Sequence, residues 1–208
     1  RRHTRSCLKS RGLGDVYKRQ ILIRLRELSL HILDIVENGI TAGADCIHIL
    51  VEEAHTTDLL TIKITDNGQG MPADKIKNLT DPFVTTRRTR RVGFGLSLFA
   101  EAAKRCDGSL MVKTEPGDGT EVRATFRHSH IDRAPVGDMA ATIAALIMGN
   151  PQIDFVYTHI ISGEEFTLDT RKLKSEMGSL PLTNSVVIHH LTVSIRNSLG
   201  RMMAKDGS

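Results

Sequence analysis

From Leu25 onward, apolar residues return every three or four positions: Leu25, Leu28, Ile32, Ile35, Val36 and Ile40. That period is the stripe of an amphipathic helix, and Gly43 in TAGA can take the left-handed conformation that ends one. The period then changes to two. CIHILVEEA sets Ile47, Ile49 and Val51 against His48 and Glu52, and DLLTIKITDNG sets Leu60, Ile62 and Ile64 against Thr61 and Lys63. Two strands joined by a short polar turn at residues 55–58 follow. After the glycine-rich DNGQGMP, a short helix at about residues 73–78 leads into DPFVTTRRTRRVGFG, which is too basic and too glycine-punctuated for a packed element and reads as a loop.

GLSLFAEAAKRC restores a helical stripe through Leu96, Leu98, Phe99 and Ala102, with Gly108 as the stop. SLMVKTE and GTEVRATF are two more strands around the turn PGDG. Periodicity lapses over residues 127–136, RHSHIDRAPV, a boundary by composition. Beyond it come a helix over MAATIAALIM with Asp138 as N-cap and Gly149 as stop, and a hairpin of IDFVYTHI and EEFTLDT around Ser162 and Gly163. A short helix at residues 170–177 and a last one over about 184–203 complete the chain. The division expected is residues 21–127 as one domain and 128–208 as a small C-terminal α+β interaction domain.

Composition adjusts this picture at one end. The chain has 208 residues and 40% hydrophobic content, enough for a core. Residues 1–20 show no apolar period, and SRGLGDVYKRQ resembles translated sequencing-adapter read-through, so this stretch is set aside as disordered artefact. It holds seven of the 28 basic residues and one of the 24 acidic ones. The remaining 21 and 23 leave a slight acidic excess, which argues against nucleic acid as a partner. Cys7, Cys46 and Cys106 have neither metal nor disulfide spacing. No run reaches the 18 or so apolar residues that cross a bilayer, so neither a membrane partner nor a secretory route is expected and the cytoplasm is the expected location.

Three features carry chemistry. The first helix bears Asp34, Glu37 and Asn38 in DIVENG. Asp66, Gly68 and Gly70 form a DxGxG turn that reads either as a tight turn after a strand or as a carboxylate accepting from an exocyclic amine, with glycines letting a flat ring approach. GFGL at residues 93–96 opens a helix, either as a simple junction or as a phosphate-facing helix N-terminus. It is neither a Walker loop nor a dinucleotide fingerprint, because Leu98 stands where the latter needs glycine. Arg87, Arg88, Arg90 and Arg91 are suited to phosphate and equally to solvent. HSHID, with His128, His130 and Asp132, lacks a further ligand for a metal site, and His189 and His190 read as surface residues of the last helix.

In order and spacing these features resemble the GHKL ATPase superfamily of DNA gyrase, heat-shock chaperones, histidine kinases and MutL proteins. The resemblance spans about residues 26–127: LDIVENGITAGA is similar to its asparagine box, TDNGQGMP to its first glycine box, DPFVTT to its phenylalanine box and RRVGFGLSL to its second glycine box. DPFVTT before GFGLSL is most similar to the histidine-kinase branch. The resemblance implies an α+β Bergerat-type sandwich, a mixed sheet with helices on one face, binding ATP with Mg2+. Residue by residue, it implies that Asn38 ligates Mg2+ and Asp66 accepts from the adenine amine. Gly68, Gly70 and Met71 would flank the base, Gly93, Phe94, Gly95 and Leu96 form the phosphate-facing end, and Thr120 back the adenine.

One position departs. Where the gyrase and MutL branch carries a glutamate that activates water, this chain has Asp34, one turn from Asn38 on the same helix face. Few residues precede the first helix, so no histidine-bearing dimerisation segment is expected before it. The expectation is a small stand-alone bacterial protein that hydrolyses ATP, or passes its phosphoryl group to an unidentified protein partner. The alternative is a non-catalytic, anti-sigma-like ATP switch; a homodimer is left open.

Overall fold

The computed structural model describes residues 27–71, 94–178 and 180–206. The first twenty residues, the helix expected at 73–78, the DPFVTT segment, Gly93 and the four arginines lie outside the described residues.

Helix α1 (Leu28–Thr41) is followed by β1 (Cys46–Ala54), a 3-10 turn (His55–Thr57) and β2 (Leu59–Asp66). After α2 (Phe94–Arg105) come β3 (Ser109–Glu115), β4 (Gly119–Arg127), α3 (Met139–Gly149), β5 (Asp154–Ile161), β6 (Glu164–Asp169), α4 (Thr170–Met177) and α5 (Ser185–Asp206). The strands form one sheet in the order β3-β4-β2-β1-β5-β6, antiparallel except for the parallel pair β1 and β5. Helices α1, α2, α3 and α5 pack into one layer against it. Among the described residues, no helix is long and apolar enough to cross a membrane.

The period of two decides which face is covered. Residues directly opposite on neighbouring strands share a face. Ile49 lies opposite both Ile64 and Tyr157, and Ile64 opposite Val122. All four are buried, whereas His48 and Arg123 on the other face are exposed. Leu28, Ile32, Ile35 and Val36 of α1 and Phe99 and Ala103 of α2 close over this face. Full burial of each large aliphatic side chain contributes roughly 1.5–3 kcal/mol.

Strands on both sides of the expected boundary at residue 127 belong to this sheet. β5 runs alongside β1 over eight residue pairs, and a single apolar core takes in Ile143, Leu146, Phe155 and Ile195 together with the residues of α1 and α2. Strands β5 and β6 thus extend the sheet that β1 to β4 form.

The entry to α1 shows the same interdependence. Its N-cap residue, Glu27, is extended and makes no side-chain cap. The first two N–H groups, of Leu28 and Ser29, donate instead to the carbonyls of Pro135 (2.9 Å) and Val136 (2.8 Å). A helix start has no partners of its own for these donors, so a segment beyond β4 supplies them. The helix ends at the expected TAGA, with Gly43 at φ +82°. Asp138 caps α3 by accepting from the Ala141 N–H, as its position in sequence predicts.

Candidate functional site

The DxGxG turn begins on the last residue of β2. Asp66 is on the helix-covered face and 8% exposed, and one carboxylate oxygen accepts from the Gly68 N–H at 2.9 Å. Burial pushes its carboxyl above the usual aspartate range, against the opposing pull of the Gly68 and Thr120 backbone N–H groups. A carboxylate whose partners are two backbone donors, short of water, still has acceptor capacity to give.

Helix α1 presses on this carboxylate through Gly39. A Cβ added there would stand 3.0 Å from the Asp66 Cβ and 3.1 Å from its Cγ and Oδ2. The glycine of DIVENG therefore lets the helix that carries Asn38 lie directly against Asp66. This role was not read from the sequence, although the pair Asn38-Gly39 in mid-helix is the signal, since glycine there weakens a helix by about 1 kcal/mol relative to alanine.

The turn is stapled on both sides. Asn67 accepts from the N–H groups of Asp45 and Cys46 (3.0 Å each) and donates to the Asp45 carboxylate (2.6 Å), which locks the exit of β2 onto the α1–β1 loop. Gly68 lies against Ala42, whose carbonyl would be 3.0 Å from a Cβ at that position. Gly70 has φ +64° and no room for a Cβ, which would meet the Glu115 carbonyl at 1.9 Å. That closeness gives Gly70 a structural reason of its own.

Met71 donates its N–H to the Thr114 hydroxyl (2.8 Å), which donates to the Gly119 carbonyl (2.9 Å) and accepts from the Thr120 hydroxyl (3.1 Å). Thr120 stands directly opposite Asp66 in the β2–β4 ladder and opposite Thr114 in the β3–β4 ladder. The expected residues Asp66, Gly68, Gly70, Met71 and Thr120 are thus brought to one corner, with Asn38 on the adjoining helix. Thr114 and Asn67 are members that sequence reasoning missed. Thr114 has only strand periodicity to mark it, whereas Asn67 stands in the motif itself.

The second glycine motif adjoins Asp34, the first acid of DIVENG. The sequence places GFGL before a helix, but α2 already begins at Phe94, so Gly95 and Leu96 lie in its first turn. There the backbone N–H groups have no partners within the helix. A Cβ at Gly95 would sit 3.1 Å from the Asp34 Cβ and 3.5 Å from its Oδ2, so the small residue lets Asp34 stand beside this helix end. Leu96 is buried in the core. Glu37 is exposed at the rim.

Comparison with known proteins gives a family for the chain. Residues 24–130 match the model of the family described as histidine kinase-, DNA gyrase B-, and HSP90-like ATPase. Similar curated proteins include sporulation kinase C of Bacillus subtilis, 32% identical over 42% of this chain and 20% of that one. Sporulation kinase E of the same organism is 35% identical over 45% and 13%. The sensor protein kinase PilS of Pseudomonas aeruginosa is 28% identical over 56% and 22%. The alignments thus cover no more than about a quarter of these relatives' length.

Proposed function

Because the chain belongs to the family of histidine kinase-, DNA gyrase B- and HSP90-like ATPases, we propose that it binds Mg-ATP between α1 and the corner of Asp66. From there it passes the γ-phosphoryl group to water or to a protein partner. The observation that carries this reading is Asp66 itself: a carboxylate buried at a strand end, held by the Gly68 N–H and kept clear by Gly39.

The donor chemistry fits the ligand. Asp66 accepts from the exocyclic amine of adenine, a charge-assisted bond that a neutral ring analogue lacking the amine cannot make. Thr120 and Met71 hold the other side of the corner through Thr114. Asn38 offers a hard amide oxygen suited to Mg2+, which keeps several waters and needs few protein ligands. The N–H groups of Gly95 and Leu96, at the positive end of α2, donate to phosphate oxygens. When bound, Mg-ATP supplies a transferable phosphoryl group whose charge the metal screens.

Asp34 stands one helical turn before Asn38 and against Gly95. It orients the attacking nucleophile, water or the partner's acceptor group, and takes its proton, a contribution typically worth 10²–10⁴-fold in rate. A single-turnover assay with γ-labelled ATP tests this. Label should leave ATP in the wild type and move at least about a hundredfold more slowly in Asp34→Asn. Tight ATP binding with no movement of label in the wild type would replace catalysis by the switch reading. No ATP binding at all would sink both.

A further inference from the structure

At the end of the β1–β2 hairpin remote from Asp66, the alternation of β1 puts a carboxylate where the core face calls for an apolar residue. Glu53 follows Ile47, Ile49 and Val51 on the buried face and is 7% exposed. One oxygen, Oε1, lies 3.0 Å from Nε2 of His159, which is 1% exposed and whose Nδ1 meets the Tyr157 hydroxyl at 2.6 Å. The other, Oε2, lies 3.0 Å from Nε2 of His128, and that nitrogen is also 3.1 Å from Nε2 of His55. Nδ1 of His55 is bonded to the carboxylate of Asp206 near the end of α5.

Protons fix what this arrangement lacks. With its hydrogen on Nδ1, toward the Asp206 carboxylate, a His55 ring offers Nε2 as a lone pair. His159 serves Oε1 of Glu53 with its own N–H while accepting from Tyr157 on the other side. What remains is Oε2 of Glu53 and the two Nε2 atoms of His55 and His128, converging at 3.0 and 3.1 Å. One hydrogen on His128 serves one of those contacts and leaves the other nitrogen with nothing between it and its neighbour. A cation placed among the three serves all of them.

The spacing suits such an ion. Bonds of 2.0–2.1 Å at tetrahedral angles set ligand atoms about 3.3 Å apart, so the 3.0 and 3.1 Å contacts need open by only a few tenths of an ångström, and all three atoms already lie within 4.8 Å of one another. Two imidazoles with one carboxylate favour a borderline ion over Mg2+ or Ca2+, which take oxygen ligands. The surroundings also match: Asp206 holds the far nitrogen of His55, and His159 holds the far oxygen of Glu53, the outer partners that orient metal ligands. His55 is about one-third exposed and leaves a path for entry.

We infer that Glu53, His55 and His128 form a binding site for a divalent first-row transition-metal ion of the Zn2+ type, with Oε2 and the two Nε2 atoms as ligands and the remaining position open to solvent. The site is independent of the nucleotide corner. Glu53 and Asp66 stand on the same face of the hairpin with their levels six residue steps apart along β2, about 20 Å. Its ligands come from the end of β1, the 3-10 turn and the segment after β4, with Asp206 bringing in α5, so the bound ion ties the last helix to the first hairpin. Among the described residues no other cluster of three such groups is close enough to hold an ion, and His130 is turned to a local bond from the Asp132 N–H instead.

The test uses the whole chain, stripped with chelator and titrated with Zn2+ against a chromophoric competitor. One ion per chain should bind, with a rise in melting temperature. His55→Ala and His128→Ala should each abolish that binding, and Asp206→Asn should weaken it about 10–100-fold. Asp66→Asn, His130→Ala and the double variant His189→Ala/His190→Ala should bind as the wild type does. Should either ligand variant fail to fold, Co2+ bound to the wild type reads the site directly: an intense tetrahedral ligand-field spectrum supports it and a weak octahedral one overturns it. Zn2+ binding that survives His55→Ala, or that vanishes with His189 and His190, also overturns it.

Discussion

Two buried carboxylates stand on the same face of one hairpin, and their environments push them in opposite directions. Asp66, at one end, is raised by burial with only backbone N–H groups in opposition. At the other end burial acts on Glu53 as well, but hydrogen bonds from His159 and His128 override it and hold the carboxyl at about 2. Burial alone therefore does not set the outcome; the supply of side-chain donors does. At the Glu53 end, side-chain donors outweigh burial and draw the acid into a network. At the Asp66 end, backbone N–H groups alone oppose it and burial prevails.

The largest effect that would break this contrast is at Glu53. Glu53→Ala strands the His159 N–H inside the core, and loss of one partner from a buried charged network costs about 3–5 kcal/mol. Urea denaturation of metal-free protein should show it as a lower midpoint. The matching change at the other end, Asp66→Asn, should leave ligand-free stability unchanged or higher while weakening ATP by about 1.5–3 kcal/mol, the worth of a hydrogen bond to a charged group. Calorimetric titration reads the affinity, and a destabilised ligand-free Asp66→Asn would erase the distinction between the two ends.

Acidity sharpens the comparison next. A carboxyl with a folded pKa above its unfolded one opposes folding in full above the raised value, and that burden fades as pH falls through it toward 3.8. ATP affinity should move the other way, declining as Asp66 takes up its proton, by at most tenfold, about 1.4 kcal/mol, per pH unit. Asp66→Asn should show neither trend. The smallest effect is expected from Gly39→Ala. Its new methyl lies 3.0–3.1 Å from three atoms of Asp66, so the carboxylate must give by a few tenths of an ångström. We expect about 1 kcal/mol of lost ATP affinity with little change in melting temperature.

The two ends were unequally legible in the sequence. At the Asp66 end, Asp66, Asn67, Gly68 and Gly70 are consecutive or nearly so, and a motif read along the chain contains the corner it builds. Gly39 escaped because its reason is a contact with Asp66, 27 positions on. At the Glu53 end no local pattern exists: His128 is 75 residues away and His159 is 106. HSHID drew attention to His128, but in the company of His130 and Asp132 rather than of Glu53 and His55. Helices and hairpins were legible for the same reason as the glycine turn, since their periods are local. The parallel partnership of β1 with β5 was not, because a crossover of about a hundred residues leaves no period to count.

That partnership bears on where the chain can be cut. A fragment ending at residue 130, where the family match stops, would strip β1 of all eight residues that pair with it on that side. The two acceptors at the start of α1 would go with them. An unpaired apolar strand edge is a template for other copies of itself, so such a fragment should aggregate. The family's boundary in sequence is therefore not a boundary of the sheet.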